Sequence, residues 1–278
     1  MAHVVGGFVV PHNPVMYFNP DGPDPQQKET VQAAYRTISD RIGELDATSA
    51  LIIGCDHYIL FGPTCLPRYV ISTGDLEGPI DQLPGLKRGP IKANGPLGTH
   101  ISEHGFANGF DYAVGRAMTV DHSIAVPHQL LLEPHPQIST VALMLACGVD
   151  PYLPLARAWE LGQQIRRAID AFDQDERVVV IGSGGISHWV GDENMGRVNP
   201  DFDAMILDAL NNGDVDRLLG LSDEEITEQA GNGAMEIRTF LCAMGVCGAA
   251  GGSTVAYEAI PEWVTGMGLA ELEVSGRA

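Results

Sequence analysis

Five short runs constrain this chain more than anything else in it. Residues 4–10, 50–54, 69–72, 139–145 and 177–182 are dominated by Val, Ile, Leu and Ala and are bounded by Gly, Pro or Asp. Runs this short and this β-branched read as strands, and the lack of polar alternation predicts burial on both faces. Between them, residues 26–45, 154–172, 201–210 and 233–244 carry helical spacing, for example Leu155, Trp159, Ile165 and Ile169 with charges in between. Strands interleaved with helices predict an α/β fold, a central mixed sheet covered by helices on both faces. Residues 61–96 break the pattern, with six prolines among few periodic apolar residues. They read as long surface excursions, and ordered loops of that length are usually functional. Ser222-Asp223-Glu224-Glu225 reads as a helix start.

The chain has 278 residues, 45% of them hydrophobic, enough for a core without staples. No repeat, low-complexity tract or flexible linker divides it, so residues 1–278 are expected to form a single domain. The five cysteines, Cys55, Cys65, Cys147, Cys242 and Cys247, are odd in number and form no C-x-x-C pair. They read as reduced thiols, and the expected location is cytoplasmic. No run approaches the roughly 20 apolar residues of a membrane span. With 36 acidic against 16 basic residues the net charge is −20, which disfavours nucleic-acid and anionic membrane partners.

Histidines recur in one local setting. His12, His57 and His188 each follow an expected strand and stand in a loop rich in Pro, Gly or Asp. A single His there can simply bond local backbone. Three at once point elsewhere, because ligands of open α/β sheets bind beyond the carboxyl ends of the strands. Two imidazoles and a carboxylate on one face of an octahedron hold Fe(II), Zn or Mn and leave positions for substrate and O2. Glu236 is the candidate carboxylate, near the start of an otherwise apolar helix and on one face with Phe240 and Ala243. The alternative is a first-turn Glu complementing the helix dipole, with Asn232 as cap.

Asp121-His122 lies between apolar neighbours; Asp121 could orient or charge His122, or the segment is a capped loop. Gly182-Ser183-Gly184-Gly185 could cradle a phosphate, but G-x-G-x-x-G and the Walker lysine are both absent. There is also no G-x-S-x-G elbow and no H-E-x-x-H helix.

Taken in order, Pro11-His12-Asn13-Pro14, Cys55-Asp56-His57, Val120-Asp121-His122-Ser123-Ile124-Ala125-Val126-Pro127, Gly182-Ser183-Gly184-Gly185-Ile186-Ser187-His188 and Gly231-Asn232-Gly233-Ala234-Met235-Glu236 cover most of the chain. In these blocks the sequence resembles the class III extradiol ring-cleavage dioxygenases, on the side of the catalytic (β) subunit of protocatechuate 4,5-dioxygenase. The resemblance implies that His12, His57 and Glu236 bind one non-haem Fe(II), that His188 is the acid/base, and that His122 supports the site or touches substrate. It also implies a catechol-type aromatic substrate of the protocatechuate or gallate kind, O2 as co-substrate, and a homo-oligomer or a complex with a small helical subunit. Ser123 stands where many relatives have Gly, and the loop of residues 64–94 matches no particular substrate subgroup.

An anionic aromatic acid would need a local cation. Arg238 and Arg197 are nearest in sequence to the expected ligands, with Arg88 and Lys92 as loop candidates. A zinc-dependent hydrolase on the same His/His/Glu set, with metal-bound hydroxide as nucleophile, is the alternative activity. A non-catalytic relative acting as a binding protein is the other alternative.

Overall fold

The structure, a computed structural model, describes residues 1–276 apart from Tyr58, Pro63 and Val149. Nine strands form one mixed sheet among the described residues. They are β1 (His3–Val10), β2 (Ser49–Cys55), β3 (Tyr69–Gly78), β4 (Gly89–Ile91), β5 (Ala113–Thr119), β6 (Ser139–Leu145), β7 (Arg177–Ser183), β8 (Gly252–Ile260) and β9 (Thr265–Leu272). Their order is β4-β3-β6-β2-β7-β1-β9-β8, with β5 paired to β3. The centre, β6-β2-β7-β1, is parallel throughout. Beyond it β3 runs antiparallel to β6, and β9 antiparallel to β1.

The apolar runs are the central strands because both of their faces are covered. In β2, Leu51 and Ile53 enter one core cluster while Ile52 enters the other, and in β7 Val178 and Val180 separate likewise from Val179 and Ile181. One face carries the helices Leu155–Ala171, Pro200–Asn212 and Ile237–Cys247; the other carries Pro25–Glu44. The helix Asp223–Ala230 opens on a capping box of Ser222 and Glu225, as its sequence predicts.

The expectation for residues 61–96 needs correction. The strand expected at 69–72 continues to Gly78, β4 follows, and the helix Gly95–Ala107 begins inside the same stretch. Its strands are short on periodic apolar residues because they lie at one side of the sheet, where only part of each side chain set is buried.

Candidate metal and ring-binding site

β2, β7 and β1 are neighbours, and all three end on the same side. Their exits carry His57, His188 and His12. Glu236 comes from a different direction, closing a 3-10 turn (Asn232–Glu236) that leads into the helix Ile237–Cys247. Nε2 of His12 lies 3.3 Å from Nε2 of His57 and 3.2 Å from Oε1 of Glu236, and the third side of the triangle, His57 to Glu236, is 3.1 Å. Ligands about 2.1 Å from one ion would be about 3.0 Å apart at right angles and about 3.4 Å apart at tetrahedral angles. The triangle lies between these values, so one cation fits all three atoms.

Supporting contacts fix each ring. Nδ1 of His12 pairs with Oγ of Ser183 at 2.9 Å, and Nδ1 of His57 with Oδ2 of Asp121 at 2.9 Å. Such outer partners set the tautomer that turns Nε2 toward a metal. Asp121 thus serves His57 rather than His122, while its Oδ1 accepts from the Ser123 N–H and caps the helix His122–Pro127. The Gly-rich turn after β7 serves the carboxylate instead of a phosphate: the N–H of Gly185 donates to Oε2 of Glu236 at 2.7 Å. Asn232 is not the helix cap, since its side chain clasps the backbone of Val190.

Glu236 is buried. Burial opposes its charge, but His12, His57 and His188 outweigh that and hold its carboxyl well below the usual range. Burial also opposes charge on His57, yet Asp121 and then Glu236 raise its pKa well above the ordinary imidazole value. With both imidazoles neutral, as ligation requires, the buried carboxylates of Glu236 and Asp121 leave negative charge at this cluster that a cation between the three donor atoms would balance.

His188 differs. Its pKa is lowered, chiefly by burial and against the pull of Glu236. Nδ1 lies 3.1 Å from the carbonyl of Ile186, an acceptor only, so Nδ1 carries the proton and Nε2 keeps a lone pair. Nε2 is 3.7 Å from Oε2 of Glu236. The ring fits because Gly185 and Gly233 flank it without side chains. His122 stacks on His57 with ring centroids 4.1 Å apart, and its pKa is lowered by burial and by His57. Its Nδ1 is 3.2 Å from Asp81, off a hydrogen-bonding line.

A cavity of about 590 Å³ opens over these groups, lined by His12, His57, His122, His188 and Glu236. The two expected carboxylate partners are not in its wall. Arg238 is fully buried, and its guanidinium is consumed by the carbonyls of Leu153 and Met235 and by Asp223. Arg197 is exposed and lies over the Trp189 ring, 4.7 Å from its centroid. Nearness in sequence misled here because a helix turns position 238 away from position 236.

Two residues without an expected role join the site. Cys55, the last residue of β2 and two positions before His57, donates its S–H to Oε1 of Glu236 at 3.4 Å. Asp81 also receives the His122 N–H at 2.7 Å. Its place at the end of the strand that leads to His57 could have flagged Cys55; nothing in the Pro-rich loop marks Asp81.

Residues 6–268 match the sequence signature of a family described as the catalytic LigB subunit of aromatic ring-opening dioxygenase. Two similar relatives are named 2,3-dihydroxyphenylpropionate/2,3-dihydroxicinnamic acid 1,2-dioxygenase. The one from Rhodococcus jostii (strain RHA1) is 27% identical, covering 93% of this chain and 95% of its own. The one from Burkholderia vietnamiensis (strain G4 / LMG 22486) is 28% identical, covering 92% and 93%. An uncharacterized protein from Escherichia coli K12 shares the fold, with a TM-score of 0.53 at 12% identity over 96% of this chain and 99% of that one.

Proposed function

Given that the chain belongs to the family of catalytic subunits of aromatic ring-opening dioxygenases, we propose that it is an Fe(II)-dependent extradiol enzyme. It opens a catechol-type ring with O2 and inserts both oxygen atoms. The observation that carries this reading is the triangle of Nε2 of His12, Nε2 of His57 and Oε1 of Glu236, with sides of 3.1–3.3 Å. His12, His57 and Glu236 would hold the ion. When bound, ferrous iron supplies the redox chemistry by which triplet O2 reacts with a singlet aromatic, which zinc could not supply.

The protein's own groups handle orientation and protons. The cavity wall above the triangle holds the ring, so that reacting groups meet within one enclosure. Nε2 of His188 accepts a proton from a substrate hydroxyl and returns it to the opening ring, a role worth on the order of 10²–10⁴-fold. Neutral His122, beside His57, contacts the substrate oxygens. The small exposures of His12 and Glu236, 3% and 4%, keep bulk water from the donor atoms.

Protein loaded anaerobically with Fe(II) and given catechol should consume O2 in proportion to a coloured ring-opened product, while Zn(II)-loaded protein should consume none. Equal turnover with zinc would overturn the assignment. His188→Gln should keep its iron and lose about 10²–10⁴-fold in turnover. Lost iron with a normal rate per remaining iron would show instead that His188 is a ligand.

A further inference from the structure

Resting on that reading, we infer that the preferred ring carries an uncharged, apolar substituent, unlike the carboxylic acids in the names of the similar relatives. Three observations converge. Among the described residues that line the cavity there is no Lys or Arg. Away from the histidines and Glu236, its walls include Val15, Ile59, Tyr152, Val190, Met195 and Val264. Finally, the exposed large hydrophobic side chains of the described residues include Ile59 at 36%, Val190 at 49% and Met195 at 53%, and all three belong to this one cavity. Exposed apolar residues gathered at one opening mark a surface meant to be covered, whereas isolated ones mean little.

Charge argues the same way. A substrate carboxylate brought into this cavity would lose water without gaining a Lys or Arg partner from the described wall, in a molecule of net charge −20. Arg238 cannot turn to meet it, because its guanidinium lies behind the Tyr152 ring, 5.2 Å from the centroid, and is paired with Asp223. The volume of about 590 Å³ is also far more than an unsubstituted catechol fills, which leaves room for an alkyl or aryl group along the apolar wall.

The test compares catechol, 3-butylcatechol and 3-(2,3-dihydroxyphenyl)propionate, the last two similar in size and differing in charge. Two readouts are taken: kcat/KM on Fe(II)-loaded protein, and calorimetric Kd on Zn(II)-loaded protein, which cannot turn over. Butylcatechol should exceed the propionate at least tenfold in both. Met195→Arg should shrink or reverse that ratio within one preparation, so that any general loss of folding cancels. Catechol cleavage with a preference for the propionate, abolished by Arg197→Ala, would overturn this inference and leave the activity standing. Absence of cleavage of all three by iron-loaded protein would overturn the activity and the inference together.

Discussion

A methyl group at position 233 would come within 2.1 Å of Nε2 of His188. Gly233 is therefore part of the acid/base apparatus through what it lacks. Gly233→Ala should retain metal, since the added methyl meets the His188 ring and no donor atom, and lose at least tenfold in kcat; unchanged kcat would mean that Nε2 of His188 need not stand where it does. Asp121 allows a second separation. Asp121→Asn keeps a cap oxygen for the helix His122–Pro127, because Asn caps as well as Asp. It places an amide donor against the ring N–H of His57, so metal affinity should fall about 10–100-fold with only a small change in melting temperature. Chelator competition beside thermal unfolding checks this, and unchanged affinity would show that Asp121 is a cap alone. At this scale much was legible in the sequence. His12, His57, His122, His188 and Glu236 could be chosen because each sits in a short motif at an expected strand exit or helix start. The supporting partners could not: Asp121 faces His57 across 64 positions, and Arg238 is captured by Asp223 through the fold.

The helix that follows Glu236 is held by unusually close packing. Gly245, in the helix Ile237–Cys247, and Gly162, in the helix Leu155–Ala171, face one another so tightly that a methyl at 245 would lie 2.6 Å from the Trp159 carbonyl and 3.0 Å from the Gly162 Cα. Gly245→Ala should thus cost about 1–3 kcal/mol by overpacking, read as a lower denaturant midpoint, and should weaken metal binding as the helix shifts. An unchanged midpoint would show that the crossing has slack. The central strands were readable because burial on both faces writes itself as unbroken apolar runs, as in β2, where all seven residues are buried. The terminal hairpin of β8 and β9 was not. β8 is only partly buried over most of its length, and β9 reads Thr265-Gly-Met-Gly-Leu-Ala-Glu-Leu272, with glycines where a strand pattern expects branched side chains. The helix Gly95–Ala107 likewise opens with Gly-Pro and holds three glycines, and only its capping Asn94 marks it in hindsight.

Across the whole molecule, the site exists because three neighbouring parallel strands end on one side and the turn and helix around Glu236, later in the chain than all three, close over them. The sequence could suggest that meeting point from strand-end chemistry, but not its walls, because the apolar residues at the opening come from loops far apart in the chain. The central claim is that two imidazoles and one carboxylate share one iron and leave the rest of its sphere to substrate and O2. Anomalous scattering at the iron edge, from crystals grown anaerobically with Fe(II), tests it most directly. The expected result is one full iron site bonded to Nε2 of His12, Nε2 of His57 and a carboxylate oxygen of Glu236, with no other protein ligand. Iron bound elsewhere, or a fourth protein donor such as the Cys55 sulfur closing the site, would contradict it.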